Sequence, residues 1–312
     1  MAIRLSLGEM IGAGTRAVAR YTGTLLSVFI AQAAVTIVCM LAVTSVLTDA
    51  FGHLPLWDEA VDGDLVALVY CVRFAEASLS ATAGVVMWSV LLWVVISWFL
   101  VGGVNNVLAQ RPEGRGETAR CFGAGGSNTF LAYAKLALCS IPGWLAATAL
   151  LLWGFDRFAS EERMMVILTL PQLVGTLLLA ALPGLFVLHI VWTVTDYARV
   201  ELTLRHDSHE PSVVMTYLRT LAFVLKRPIT LAHGGLGWLA FLLITVGYMW
   251  LAAGHSMYGA GGAVTLFVIR QGVALARSAI RFGVLGGQLE LGKTRPLPPR
   301  RIVETKVESK KA

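Results

Sequence analysis

Arg270, Arg277, Arg281 and Gln288 follow one another at helical spacing on a single apolar stretch. At about 100° per residue all four point one way. If the chain enters a bilayer near Gly261, Arg270 lies about 14 Å deep by helical rise, close to the midplane. A charge at that depth costs from about 3 to over 10 kcal/mol, so it marks a functional site. The chemistry open to such a stripe is recognition of negative charge: a substrate anion, a lipid headgroup or the carboxylate of a partner protein. Gln32, Gln172 and His189 are interior polar groups that could face Arg270, and none is an acid. A shallower placement leaves a plainer role, in which the stripe satisfies carbonyls and inner-leaflet phosphates by snorkelling.

A second line, His189, Thr193 and Asp196, recurs at i, i+4 and i+7. A histidine near a carboxylate inside a membrane can relay protons or gate access. Asp196 falls near the end of its stretch, however, where Arg199 or Arg205 can pair with it at lower cost. Pro171 and Pro183 lie in the same stretch, and each removes a backbone donor and is expected to kink a helix. The carbonyls so freed serve a ligand only where they line a cavity or the protein interior.

Other chemistries lack their signatures. His206-Asp-Ser-His209-Glu210 is not the H-E-x-x-H that sets two ligands and a base on one helix face. The acidic run from Asp58 to Asp64 lacks the ligand alternation and closing glutamate of an EF-hand loop. The chain has no G-x-S-x-G elbow, no P-loop, no dinucleotide fingerprint and no paired metal-spaced cysteines. No catalytic residue, metal site or cofactor is therefore expected.

The elements that would carry these residues are membrane helices. Hydrophobic residues make up 56% of the chain and charged residues 14%, with a mean hydropathy of +0.71, outside the soluble globular range. Six apolar runs, 24–47, 82–108, 129–153, 171–195, 230–253 and 262–285, each reach the ~20 residues that cross a hydrocarbon core. The expected fold is all-α, a polytopic membrane protein of six transmembrane helices. The first run is too long for a signal-peptide core and no A-x-A pattern closes it, so it reads as an uncleaved span.

Lys and Arg alternate between the loops. The N-terminal segment, the second and fourth loops and the tail are basic; the first, third and fifth are acidic or uncharged. By the positive-inside rule both termini are cytoplasmic. The net charge of +6 then reflects membrane orientation and anionic lipids at the inner leaflet, not nucleic acid. Three parts follow: a cytoplasmic amphipathic segment (1–23), a transmembrane domain (24–291) and an unstructured, basic, proline-containing cytoplasmic tail (292–312). The tail sequence Arg295-Pro-Leu-Pro-Pro-Arg300-Arg301 also suits polyproline II docking. A short helix is expected at 65–80, in the first outer loop.

Basic segments around Arg16, Arg120 and Arg219, about 100 residues apart, precede the first, third and fifth spans. Each can form an interfacial amphipathic helix, giving three copies of helix plus hairpin. Basic even-numbered loops produce the same pattern without any repeat.

Three patches, Gly102-Gly103-Val-Asn105-Asn106 leading to Gly125-Gly126, Asp196-Tyr-Ala-Arg199-Val, and Ala222-Phe-Val-Leu-Lys-Arg227-Pro228, resemble uncharacterised bacterial six-span membrane proteins. Loosely, they also resemble the membrane domain attached to some glycerophosphodiester phosphodiesterases. The resemblance implies an integral protein of the bacterial inner membrane; the hydrolase domain itself is absent, so no hydrolysis carries over. The expected function is a non-catalytic component that anchors or assembles a larger membrane complex, with a membrane-protein partner or a homo-oligomer. The alternative is a transporter or lipid-handling protein for an anionic substrate, with Arg270, Arg277, Arg281 and Gln288 lining its path and His189, Thr193 and Asp196 as relay or gate.

Overall fold

The computed structural model describes residues 5–61, 66–67, 70–71, 76–160, 169–205, 212–253 and 260–294. Among these every regular element is a helix. The short helix α1 (Leu7–Arg20) opens with a capping box, in which Ser6 and Glu9 satisfy each other's backbone amides. After a break at Tyr21 comes α2 (Thr22–Phe51), and then the single turn α3 (Trp57–Val61). Helix α4 (Glu76–Gln110) leads through Pro112 and Gly114 into α5 (Arg115–Phe158). Helix α6 (Leu170–Leu204) is followed by the short α7 (Val213–Lys226), capped by Ser212. Pro228 cannot continue α7 and instead opens α8 (Pro228–Ala253). Helix α9 (Ala260–Lys293) completes the described chain.

Five helices are long and apolar enough to cross a membrane: α2, α4, α5, α6 and α8. α9 has the length, 34 residues, or about 51 Å, but Arg270, Gln271, Arg277 and Arg281 dilute its hydropathy and it is not among the five. The expected hairpin-preceding helices appear as separate elements twice, as α1 before α2 and α7 before α8. The middle one is fused into the unbroken 44 residues of α5. In the first loop, 76–80 belong to α4, and the rest of the expected 65–80 helix is described only at 66–67 and 70–71.

The three short or fused segments dock in one pattern. α1 lies on the C-terminal half of α9, where a Cβ on Gly14 would overlap the Gly283 carbonyl and one on Gly286 would come within 2.9 Å of Ala17. The start of α5 lies on the end of α4, where a Cβ on Gly102 would strike Thr129 and sit 3.1 Å from the Gly125 carbonyl. α7 lies on the end of α6, through Phe223 against Tyr197 and Thr220 against Glu201. Glycine at the first two crossings lets the backbones meet at a distance no side chain permits.

The core gathers at this end of the bundle. Tyr21, Leu25, Leu100, Val104, Val200, Phe282 and Leu285 form one cluster, Met10, Val194, Tyr197 and Leu291 a second, and Tyr133, Leu136, Ala198 and Leu202 a third. Toward the other end α5 and α6 stay in close contact, with Gly184 tight against Leu151. Cys39 of α2 lies 3.9 Å from the Ser89 carbonyl of α4, and Phe51 and Cys71 form a small buried cluster with Leu54 and Trp57. There α2, α8 and α9 present bare apolar faces, such as Ile37, Trp250 and Phe267.

Candidate functional site

Asp196, Arg199 and Thr203 fall on one face of α6, three and four residues apart. Asp196 is 1% exposed, and a buried carboxylate needs a partner. That partner is Arg281 of α9, whose two terminal nitrogens each donate to one carboxylate oxygen at 2.6 Å. The fork-on-carboxylate geometry is the strongest form of the pair. The Arg281 guanidinium also lies over the Trp192 ring, 5.3 Å from its centroid. Arg199 approaches the same carboxylate only at 3.5 Å and stacks over Tyr133 of α5 instead, at 5.7 Å. One acid thus faces two arginines, leaving one unit of positive charge in the cluster.

Tyr133 carries the network to α4. Its hydroxyl accepts from Asn105 Nδ2 at 3.0 Å and lies 2.8 Å from Thr203 Oγ1 and 3.2 Å from the Arg199 carbonyl. Four helices, α4, α5, α6 and α9, are therefore joined by one chain of polar contacts in the core. Several buried atoms beside it carry no hydrogen-bond partner among the described residues: Arg199 Nε, Asn105 Oδ1, Gln288 Oε1 and His233 Nδ1.

The arginine stripe divides along α9. Gln288 is buried and Arg281 is tied to Asp196. Arg277 is exposed and lies over Phe241 of α8, 5.2 Å from its centroid. Arg270 is exposed too, among the bare side chains of Phe267 and Val268, and has no ion-pair partner among the described residues. Helical periodicity sets the four along one line of α9. It carried no information on where α9 enters the core, and so on which of them are covered.

The second line also divides. His189 Nε2 lies 3.0 Å from the Leu231 carbonyl of α8, and a Cβ on Gly234 of that helix would meet both His189 and Thr193. These two serve the α6–α8 contact, whereas Asp196 turns to α9. Arg205, expected as a partner for Asp196, pairs with Glu201 at 2.7 Å instead. Pro183 lies inside α6, but Pro171 stands in its first turn, where no helical hydrogen bond is lost. Pro142, inside α5, was not singled out from the sequence.

Sequence reasoning also missed Tyr133 and Asn105 as members of the buried network. The only signal was their polarity within apolar stretches. Among the described residues no three His, Cys, Asp or Glu side chains gather as metal ligands. His206 and His209, and the tail from residue 295, lie outside the described residues. Comparison with protein-family models, curated proteins and solved structures finds no match to the chain.

Proposed function

We propose that this chain is a non-catalytic component of a bacterial inner membrane that assembles with a second membrane protein through the exposed face of α9. The observation that carries the reading is Arg270, a charge at mid-helix depth on an uncovered face, with no acid to meet it. Every Asp and Glu in the sequence lies near a span end or in a loop. A second copy of this chain therefore brings no carboxylate to that depth, and the complement is a different protein with an acid in its own membrane helix. Arg277 is already stacked on Phe241 and Arg281 is already neutralised by Asp196, so Arg270 is the residue left to recognise a partner.

The reading includes six crossings with both termini in the cytoplasm. Its support is the alternation of basic and non-basic loops together with the position of α1 and α7, both at the end where the core gathers. It also includes a threefold helix-plus-hairpin repeat. The repeat's support is the cyclic docking of α1 on α9, the start of α5 on α4, and α7 on α6.

The transport reading is less favoured, because no stripe residue lines either of the two described cavities. The deciding experiment is purification of tagged protein in mild detergent, with mass spectrometry of whatever accompanies it. The expected result is a stoichiometric membrane partner that is lost, by at least about tenfold, on Arg270→Gln while the bundle stays folded. Protein recovered alone, holding an anionic solute that Arg270→Gln releases, overturns assembly in favour of transport.

A further inference from the structure

A cavity of about 690 Å³ lies where the α1–α2 elbow meets the α4–α5 turn. That volume is within the range of ligand sites. Arg20 and Glu113 stand on its rim with Arg115, and its wall descends along Thr24 and Ser27 of α2 and Thr118 of α5. The cavity thus runs from charged groups at a helix elbow into the first two turns of a membrane span.

Three independent features give it a preference for a phosphate. Arg20 and Arg115 are exposed guanidinium forks, the shape that meets a phosphate with paired hydrogen bonds. Glu113 holds Arg20 loosely, at 3.9 Å, with both side chains half or more exposed. Glu117 in the first turn of α5 engages only the Glu113 amide, at 3.3 Å, so an incoming anion competes with two weakly held acids. Between the arginines, the 44-residue α5 begins at Gly114 in extended backbone with no side chain capping it. Its first turn, which carries unpaired amides, the positive end of the dipole and the acid Glu117, lines the cavity through Gly114, Arg115 and Thr118.

The turn that presents them is fixed in shape. Arg111 adopts a left-handed backbone, φ 55°, and its guanidinium is tied to Glu290 of α9. Below the rim, the Ser27 and Thr118 hydroxyls donate to their own helix carbonyls and leave lone pairs toward the space. This is an environment for a glycerol or sugar hydroxyl more than for a bare acyl chain.

We infer that this elbow is a phosphate-binding site, occupied by the headgroup of an inner-leaflet phospholipid or by a free phosphate compound. Only its assignment to the inner leaflet rests on the orientation proposed above; the contacts do not. The test uses full-length protein in phosphatidylcholine nanodiscs with and without phosphatidylglycerol, and native mass spectrometry to count retained lipid. Wild type is expected to retain phosphatidylglycerol, and Arg20→Gln/Arg115→Gln to retain at least about tenfold less.

Gly114→Asp supplies a second variant that keeps the fold. The site is open around Gly114, and an aspartate there caps α5. It is expected to stabilise the helix while expelling the phosphate. Added inorganic phosphate that displaces the lipid identifies the free anion as a sufficient ligand; a lipid unmoved by it identifies the headgroup. Equal retention by wild type and both variants overturns the site. Loss of the α9 partner on Arg270→Gln, with lipid retention unchanged, keeps this outcome separate from that of the assembly reading.

Discussion

Asp196 shows how much a single buried carboxylate can organise. It sits at 1% exposure between two arginines, so truncating it strands two positive charges in the core. Removing one member of a buried pair costs about 3–5 kcal/mol; with Arg281 a quarter exposed, the lower part of that range applies to Asp196→Ala. Thermal unfolding in mild detergent checks this, and a cycle with Arg281→Ala should show the two losses to be non-additive by more than about 1 kcal/mol. Additive losses would mean that the two side chains act independently. Tyr133→Phe removes the hydroxyl that Asn105 donates to, and should cost about 1–3 kcal/mol through the unsatisfied amide. From sequence, Asp196 reads as a helix-end ion pair with a near neighbour on α6. That neighbour, Arg199, is present at 3.5 Å, but the closer, two-pronged partner Arg281 lies 85 residues away, because periodicity gives the face a residue occupies and not the helix that meets it.

At the level of elements, α1 is held by its cap and by its close approach to α9, and each can be perturbed alone. Gly14→Leu forces a side chain into the Gly283 carbonyl and should undock α1, seen as a gain in mobility of a spin label placed at the half-exposed Ile11. The cap adds a pH dependence. The Ser6 amide and hydroxyl hold the exposed Glu9 carboxyl below the usual glutamate range. A depressed carboxyl contributes stability above its unfolded pKa and loses it as pH falls through the folded value. The label should therefore loosen on acidification below the ordinary glutamate range, and Glu9→Gln should remove that response. A wild-type label insensitive to acid would mean that the cap contributes nothing to docking. Five of the six expected spans were legible as long apolar helices, since about 20 apolar residues have few other fates, but α5 begins well before residue 129 and α6 runs on past residue 195. The continuity of α5 was not legible. Nothing in the sequence marks Gly125 and Gly126 as the contact surface that lets α5 cross α4 unbroken.

Across the whole molecule, the main core clusters lie at one end and Arg270 lies beyond them, which makes the proposed sixth crossing the point on which the architecture turns. Arg270 costs α9 about 2.5–3.5 kcal/mol on insertion, against about 0.3–0.6 gained for each Leu, Ile, Phe or Val. With Gln271 and Arg277 also present, α9 is close to balanced as an isolated span. It gains its place from neighbours: Asp196 takes Arg281, Phe241 takes Arg277, and α1 covers its glycines. α9 should therefore insert poorly in isolation and well in the full chain. Arg270→Leu should improve insertion of the isolated helix while abolishing partner recovery, separating the cost of the charge from its use. A reporter active only in the cytoplasm, fused after Ala312, should be active, and one placed within 254–259 should not. An inactive C-terminal reporter would leave five crossings and place α9 along the surface. Arg270 would then face headgroups, and the case for a partner within the membrane would fall with the sixth span.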